Sequence, residues 1–309
     1  MAGVVAIDDK VLRRSFDTAA GRSTLAMVTA FVRDADGDRP GKFPRRRGRQ
    51  RDCGARVSGQ GEAMSAIEKG IQRYQRFKNV HLKRFGRLPS GRLLDFGCGA
   101  GAFVIAALRD GIDVHGVEVE QGREVQFRAN AARLEPTADS RLTMYDGRRM
   151  PFSANSFDGC YSWFVFEHVT EPQTCLREIV RVLKPGGTLS LFADDARNCW
   201  DGHAMAPWPP YLPREFAAAY AEGLGMPDQA EFLTEQVVYI SAPIIIDILT
   251  TLGMQIVYAN SNPKRDPALI TESLNITKAE EARALGRKVA AGRPWESPIE
   301  NLTIFAVKA

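Results

Sequence analysis

A chain of 309 residues, 44% apolar and 25% charged, is long enough to bury one sizeable core with a small appended segment. No stretch approaches the ~18 uninterrupted apolar residues of a membrane span, and no basic segment followed by an apolar run stands at the start, so we expect a cytoplasmic protein. The five cysteines are widely spaced without a Cys-x-x-Cys pair. This pattern predicts neither a disulfide framework nor a zinc site, and we expect no bound metal.

The net charge of +4 comes from the amino-terminal part of the chain. Residues 1–63 hold 13 Lys and Arg against 8 Asp and Glu, whereas the remainder holds 28 against 29. Because residues 33–62 show almost no apolar periodicity, we expect a disordered basic leader over residues 1–62. It is either an arm that binds RNA or an anionic membrane through Arg39 to Arg56, or a leader without a role. Translation that starts at Met64 is a further hypothesis. The neutral remainder predicts no nucleic-acid partner.

Helix and strand signals begin with an amphipathic helix over Ser65–Arg84, where apolar residues recur at steps of three and four. Strands and helices then alternate, which predicts a parallel sheet with helices on both faces. The predicted strands are Arg92–Phe96, Val114–Val119, Leu142–Tyr145, Gly159–Trp163, Thr188–Phe192, Met254–Ala259 and Asn301–Val307. The predicted helices between them are Phe103–Arg109, Glu124–Leu134, Pro172–Leu183 and Pro243–Leu252.

A glycine-rich turn follows the first predicted strand. Gly97, Gly99 and Gly101 alternate immediately before a helix, where the lack of a side chain lets a ligand approach the backbone. Nicotinamide and flavin enzymes have a similar turn. Here, however, Asp95 stands near the end of the strand, and a carboxylate repels a pyrophosphate but attracts a sulfonium or ammonium group. The pattern therefore favours S-adenosylmethionine over a dinucleotide.

A second carboxylate stands where a ribose is expected. Glu118 comes 17 residues after Gly101, at the carboxyl edge of the next predicted strand. A carboxylate at that edge accepts hydrogen bonds from both hydroxyl groups of a ribose. The alternative is a solvated acid at the end of a strand, but the spacing from the glycine turn favours the ligand role.

These features resemble the class I S-adenosylmethionine-dependent methyltransferase family, in particular its quinone and sterol methyltransferase branch, over Leu93–Leu191. The other motifs that stand in family order are Tyr145-Asp146-Gly147, Met150-Pro151-Phe152, Ser156-Phe157-Asp158-Gly159, Glu167-His168-Val169 and Arg181-Val182-Leu183-Lys184-Pro185-Gly186-Gly187. The resemblance implies methyl transfer and a Rossmann-like α/β fold. Its sheet would have seven mostly parallel strands, the last of them antiparallel.

The resemblance also implies how the cofactor is held. Asp146 would contact the adenine amino group, Glu118 the ribose, and the glycines the methionyl end. The predicted cofactor-binding residues are Asp95, Gly97, Cys98, Gly99, Gly101, Glu118, Asp146 and Gly147. Glu118 departs from the family pattern, in which Asp is commoner. Asp158 is interpreted as a structural residue that closes a turn before the fourth strand.

The chain has four histidines. Methyl transfer to a hydroxyl group benefits from a general base, for which histidine is suited near neutral pH. We interpret His81 in the first helix and His115 in the second strand as structural. His168, after the fourth strand, and His203, after the fifth, are the candidate bases. The alternatives are the start of the next helix for His168 and an ordinary surface loop for His203.

The predicted domain organisation places the cofactor-binding core at residues 63–193 and completes its sheet with residues 237–309. Residues 194–236 are predicted to form a cap over the acceptor. The residues predicted to line the acceptor pocket are Trp200, Trp208 and Tyr211, and we interpret Phe216 and Tyr220 as packing residues.

The expected partner is a small-molecule acceptor methylated at oxygen, because the predicted cap is short and the enzyme body carries no net charge for a polyanion. One alternative is an RNA or protein methyltransferase that uses the basic leader. Another is a module that binds S-adenosylmethionine without catalysis. A nicotinamide dehydrogenase is disfavoured by Asp95 and by the later motifs.

Overall fold

The computed structural model describes residues 59–204, 206–238, 240–260, 266–292 and 302–309, with side chains from residue 70 onward. The first helix begins at Gly59, inside the predicted leader, and the rest of that leader lies outside the described residues. None of the helices that the structure describes is long and apolar enough to cross a membrane.

The described residues form seven strands and nine α-helices, with four short 3-10 helices between them. The strands are β1 (Arg92–Phe96), β2 (Asp113–Glu118), β3 (Leu142–Met144), β4 (Phe157–Trp163), β5 (Leu183–Ala193), β6 (Met254–Asn260) and β7 (Leu302–Lys308). The helices are α1 (Gly59–Phe85), α2 (Ala102–Arg109), α3 (Gln121–Leu134), α4 (Pro172–Val182), α5 (Ala217–Gly223), α6 (Ala230–Glu235), α7 (Ala242–Thr251), α8 (Pro267–Leu274) and α9 (Ala279–Ala291).

The seven described strands lie in one sheet in the order β3-β2-β1-β4-β5-β7-β6. Strands β1 to β5 pair in parallel, whereas β7 is antiparallel to both β5 and β6. This confirms the predicted mostly parallel sheet with an antiparallel last strand. Because the strand order reverses between β1 and β4, a crevice forms at the carboxyl ends of these two strands.

Apolar side chains of the sheet alternate between two layers of helices. Leu93 of β1 packs with apolar residues of α1, α2 and α3, whereas its neighbour Leu94 packs on the other side with α4 and α7. Alternation with a period of two places successive strand residues on opposite faces. The prediction of helices on both faces is therefore confirmed.

The start of β5 differs from the prediction. The strand begins at Leu183 rather than at Thr188, because residues 184–187 form an irregular segment inside the ladder with β4. Gly186 has a φ of 74° there, a left-handed conformation that glycine adopts at little cost. The expected break between helix and strand is thus a bulge within the strand.

Helices α5, α6, α8 and α9 share an apolar cluster of their own. In this cluster Leu269 of α8 and Leu285 of α9 pack with Tyr220 and Leu233 of the predicted cap. Both α8 and α9 belong to the segment predicted to complete the sheet, so the predicted boundaries separate helices that pack together. Tyr220 is fully buried and donates a hydrogen bond of 2.7 Å to the Pro207 carbonyl oxygen, as expected of a packing residue.

Gly286 allows α9 to approach α5 closely. A Cβ at this position would stand 2.9 Å from the Cα of Gly223 and closer still to the carbonyl oxygen of Tyr220. We expect Gly286→Ala to lower the free energy of unfolding in urea by about 1–3 kcal/mol, because the overlap is with backbone that must shift. Gly122→Ala is the control, since its Cβ would meet only the flexible end of Glu120. Equal stability of the two variants would contradict this packing.

Candidate active site

The predicted site residues gather at the carboxyl edge of the sheet. Strands β1, β2 and β3 end at Phe96, Glu118 and Met144, so the glycine turn, Glu118 and Asp146 leave the sheet side by side. Parallel strands end at a common edge, which brings residues that are distant in sequence into one crevice.

The glycine turn has the backbone conformation that glycine is needed for. Gly97, Gly99 and Gly101 have φ angles of 75°, 54° and 81°, in the left-handed region. The N–H groups of Gly97 and Cys98 both donate to the carbonyl oxygen of Val117 in β2, each at 3.1 Å. The turn is therefore anchored to the neighbouring strand by backbone bonds.

The three glycines differ in how much room their surroundings leave for a side chain. A Cβ on Gly97 would overlap the Val165 side chain, and a Cβ on Gly101 would lie 2.5 Å from the Phe127 ring. A Cβ on Gly99 would meet no atom within 4 Å in the described part of the chain. Gly97 and Gly101 thus serve packing, while the backbone at Gly99 faces the space that a ligand needs.

Glu118 is fixed by backbone donors. Its Oε2 accepts the Gly99 N–H at 2.9 Å, and its Oε1 accepts the N–H groups of Val119 and Glu120 at 2.8 and 3.2 Å. The side chain is 7% exposed. A carboxylate has about four acceptor sites, so this one retains lone pairs for further donors. The longer Glu, compared with Asp, reaches the glycine turn itself.

Asp95 is a buried acid, only 4% exposed, between β2 and β4. Burial raises the pKa of Asp95 to about 7, against an opposing effect of the positive charge of Arg73, and the charge of Glu118 raises it further. Near neutral pH this carboxyl group is therefore close to its titration midpoint. A cation bound beside it would favour the ionised form.

Asp146 lies at the exposed rim of the same edge. Its Oδ1 accepts the N–H groups of Arg149 and Arg148, both at 2.9 Å, and these bonds lower the pKa of Asp146. Gly147, with a φ of 79°, turns the chain there. Asp146 is thus ionised and held in one orientation.

The segment after β4 packs on the glycine turn. Phe164 has a φ of 52°, Val165 covers Gly97, and the ring of Phe166 stacks on Phe96 with centroids 5.7 Å apart. This packing brings the next two residues, Glu167 and His168, to the edge of the cofactor crevice.

His168 is a buried imidazole with a defined orientation. Its Nδ1 lies 3.0 Å from the Gln236 carbonyl oxygen, so we assign the ring proton to Nδ1. Its Nε2 is buried without a hydrogen-bond partner among the described residues. Burial lowers the pKa of His168 to about 4, and the charge of His203 contributes to this shift.

His203 stands next to His168, with ring centroids 5.1 Å apart. Asp201 Oδ1 accepts the N–H groups of His203 and Ala204, both at 2.7 Å, which shapes the loop. Burial alone would lower the pKa of His203, but the carboxylates of Asp201, Glu167 and Asp194 raise it to about 9. The surroundings therefore favour the protonated, positively charged form of the His203 ring.

Glu167 is a functional candidate that sequence reasoning missed. It is 2% exposed, and neither carboxylate oxygen has a hydrogen-bond partner within the described ranges. Burial raises its pKa well above the usual range, and the charge of Asp194 adds to this. Its pairing with His168 in sequence was the available signal. Asp194 and Asp201, from the loop after β5, were missed too, because only the folded loop brings them here.

Two of the three predicted pocket aromatics lie beside this cluster. Trp200 and Trp208 line a cavity of about 20 Å³ together with Glu167 and His203. Tyr211, with a φ of 70°, is not among the described residues that line it. The structure therefore brings Trp200 and Trp208, but not Tyr211, to this cavity.

The other two histidines are engaged elsewhere. His115 Nε2 lies 2.8 Å from Thr143 Oγ1, and His81 Nδ1 lies 2.9 Å from the Arg87 carbonyl oxygen. These bonds tie neighbouring elements together, in agreement with the structural interpretation of both residues.

A larger cavity, of about 240 Å³, lies at the opposite edge of the sheet. Asp158 lines it, and this residue belongs to β4 rather than to a turn before it, which corrects the prediction. Its carboxylate accepts the Arg92 N–H at 2.8 Å and pairs with Lys184 at 2.9 Å. Because open α/β sheets bind ligands at the carboxyl ends of their strands, this cavity is not the candidate cofactor site.

A family model described as "Methyltransferase domain" matches residues 94–191, which run from β1 to β5. Residues 94–191 form a class I S-adenosylmethionine-dependent methyltransferase domain. This methyltransferase domain contains the glycine turn, Glu118, Asp146 and His168, whereas His203 comes from the segment that follows it.

Known relatives match less than half of this chain. Cycloartenol-C-24-methyltransferase 1 from Oryza sativa subsp. japonica is 30% identical over 134 residues, 41% of this chain and 36% of the relative. An O-methyltransferase from Pyrenophora dematioidea is 33% identical over 132 residues, 41% of this chain and 48% of the relative. The chain thus spans less than half the length of these relatives. Among solved structures, an S-adenosylmethionine-dependent methyltransferase from Mesorhizobium loti has a TM-score of 0.45 at 18% identity, covering 73% of this chain and 96% of that one.

The residues of the methyltransferase domain fit its cofactor, S-adenosylmethionine. The backbone at Gly99 is open, the buried Asp95 offers negative charge, and the anchored Glu118 keeps free lone pairs. These features match a sulfonium, an ammonium and a ribose diol. The roles of the individual residues stay predictions.

We expect the affinity for S-adenosylmethionine to depend on the ionisation of Asp95. The ligand is cationic and binds best to the ionised acid, so affinity is full above the pKa of about 7 and falls as the pH drops below it. Between about pH 8 and about pH 6 the dissociation constant should rise about tenfold. Calorimetric titration at both pH values measures this.

The matched control for this pH dependence is a pair of Asp→Asn variants. Asp95→Asn should bind more weakly and lose the pH dependence, because an amide does not titrate. Asp113→Asn, at the exposed start of β2, should keep both the affinity and the pH dependence. A wild-type affinity that is flat over this pH range would show that Asp95 does not face the cationic part of the ligand.

Proposed function

We propose that the chain is an S-adenosylmethionine-dependent methyltransferase that methylates a small-molecule acceptor at an oxygen atom. The named relatives include both an O-methyltransferase and a sterol C-24 methyltransferase, so they do not distinguish the acceptor atom. The observation that favours oxygen is the buried His168, whose Nε2 lacks a partner among the described residues beside the cofactor crevice. The lowered pKa of His168, about 4, keeps this imidazole neutral, so its Nε2 accepts a hydrogen bond from the acceptor hydroxyl group and takes up the proton as the bond to the methyl group forms and the oxygen becomes acidic.

In this proposal the chain holds the two reactants in line. Asp95 attracts the positive end of the cofactor, Glu118 binds the ribose, and Asp146 contacts the adenine amino group. When bound, S-adenosylmethionine supplies its methyl group to the acceptor oxygen, and the sulfur keeps the electron pair of the broken C–S bond. Positioning and exclusion of water then account for most of the catalysis. His168, or alternatively His203, accepts the acceptor's proton.

The acceptor is inferred to be small because of the cap. Trp200 and Trp208 lie beside Glu167 and His203, and the cavity of about 20 Å³ that they line has to widen before even a small acceptor enters. The chain after residue 63 holds 28 Lys and Arg against 29 Asp and Glu, so its net charge does not attract a polyanion. Widely spaced cysteines fit the reducing cytoplasm as the compartment.

Cofactor binding is tested by calorimetric titration of the full chain with S-adenosylmethionine, S-adenosylhomocysteine and NAD. We expect the two adenosyl-sulfur ligands to bind and NAD not to bind. Glu118→Ala should weaken binding by about tenfold or more, because charge-assisted hydrogen bonds to the ribose are lost. Glu171→Ala, at an exposed position, is the control. Binding of NAD, or of no ligand by a folded chain, would contradict the proposal.

Methyl transfer is tested with methyl-labelled S-adenosylmethionine and a panel of phenols, hydroquinones and sterols. We expect a labelled methyl ether, and we expect His168→Asn to lower kcat by roughly 10²–10⁴-fold with an unchanged KM for the cofactor. His115→Asn is the control. A product methylated at carbon would overturn the oxygen acceptor, and cofactor binding without transfer to any acceptor or cell-extract metabolite would favour a non-catalytic module.

A further inference from the structure

Three side chains with metal-binding atoms meet between the sheet edge and the cap. Glu167 and His168 follow β4, and His203 belongs to the loop after β5. One donor atom from each residue lies within 4.8 Å of the donor atoms of the other two. Two imidazoles and a carboxylate form a donor set that binds transition-metal dications while leaving coordination positions open.

The donors of this cluster are buried and unsatisfied. Both carboxylate oxygens of Glu167 and the Nε2 of His168 lack a hydrogen-bond partner among the residues that the structure describes. A buried carboxylate without a partner is costly, and buried charges in proteins are normally paired or coordinate a metal. The unmet acceptors of these two residues therefore point to a positively charged ligand.

The Nδ1 of His168 makes the kind of hydrogen bond that is typical of histidines that bind a metal through Nε2. Its Nδ1–H donates to the carbonyl oxygen of Gln236 at 3.0 Å. A histidine that ligates a metal typically donates its other N–H to a carbonyl or carboxylate oxygen, which fixes the ring and its tautomer. This bond leaves Nε2 as the nitrogen available to an ion.

A small void lies beside Glu167 and His203, although His168 is not among the residues that line it. The cavity of about 20 Å³ is lined by the three acids Glu167, Asp194 and Asp201 and by His203. A volume of roughly 10–15 Å³ holds one water molecule, so the void accepts a single ion with at most a water. The additional carboxylates of Asp194 and Asp201 surround it with negative charge or hydrogen-bond acceptors.

We propose that Glu167, His168 and His203 bind one transition-metal dication, with Zn²⁺ as the preferred ion, beneath the cap. Mg²⁺ and Ca²⁺ are disfavoured because they prefer ligand sets made of oxygen atoms. Donors of a tetrahedral zinc ion stand ~3.3 Å apart, so donor atoms that lie up to 4.8 Å apart need to approach one another by up to about 1.5 Å when the ion binds.

The ion site stands on these residues alone, but its catalytic consequence rests on the proposed function. An acceptor hydroxyl bound at an open coordination position would release its proton to solvent more readily, because the ion stabilises the alkoxide or phenolate. The oxygen lone pair then forms the bond to the methyl carbon as the C–S bond breaks, giving a methyl ether and S-adenosylhomocysteine. In the ion-bound chain His168 and His203 act as ligands, and the proton-accepting role given to them under the proposed function applies only to the chain without the ion.

The test is metal uptake by the full chain after chelator treatment. Titration with Zn²⁺ should give one equivalent bound, and Co²⁺ should produce visible absorption bands of a mixed nitrogen and oxygen site. Loss of a direct ligand should exceed the 10–100-fold loss typical of supporting residues, so Glu167→Gln and His203→Asn should weaken Zn²⁺ binding by about 100-fold or more. Matched controls are Glu171→Gln and His115→Asn, which should bind Zn²⁺ normally.

Cofactor titrations of the same variants separate this proposal from the proposed function. Unchanged S-adenosylmethionine affinity in Glu167→Gln shows that the variant is folded. Uptake of Co²⁺ that is lost in this variant supports the metal site even if no acceptor is methylated. If the wild type binds S-adenosylmethionine and methylates an acceptor while taking up no Zn²⁺ or Co²⁺, the metal site is overturned and the proposed function stands.

Discussion

The parallel pairing of β1 with both β2 and β4 is the constraint on which the rest of the site depends. Strand order reverses at β1, so the connections leaving β1 and β4 diverge to opposite faces and leave a crevice between them. Because β1 lies in the middle of the sheet, Asp95 is buried between Gly116 and Tyr161, and this burial raises its pKa to about 7. The same geometry that stabilises the sheet thereby places a titratable acid near the carboxyl end of β1.

Features that depend on short stretches of sequence were predictable. The core strands follow from apolar runs and turn residues, and the glycine turn follows from the left-handed backbone that Gly97, Gly99 and Gly101 adopt. Glu118 was found because its position relative to that turn is fixed by one helix and one strand. The start of β5 was predicted at Thr188 instead of Leu183, since a proline and glycine pattern marks an irregularity without saying whether the strand continues through it.

Features that depend on the packing of distant segments were not predictable. An amphipathic pattern shows that α9 buries one face but does not say that this face packs on the cap rather than on the sheet. The cluster around Glu167 has the same origin, because His203 reaches it through a loop whose shape depends on backbone bonds to Asp201. No local spacing of metal-binding residues marks this cluster, because His203 stands more than thirty residues after the adjacent Glu167 and His168.

Burial of Glu167 costs free energy that the cap must offset by its own packing. A proton on His203 lowers the cost of burying this carboxylate, in line with the raised pKa of His203. That single proton still leaves the carboxylate oxygens of Glu167 and the Nε2 of His168 without a hydrogen-bond partner among the described residues. Any cation or hydroxyl donor that satisfies them binds the folded cap and not the unfolded chain, and so stabilises it by mass action. If an acceptor hydroxyl group or a cation is that ligand, its binding is coupled to the packing of residues 194–236 on the sheet edge.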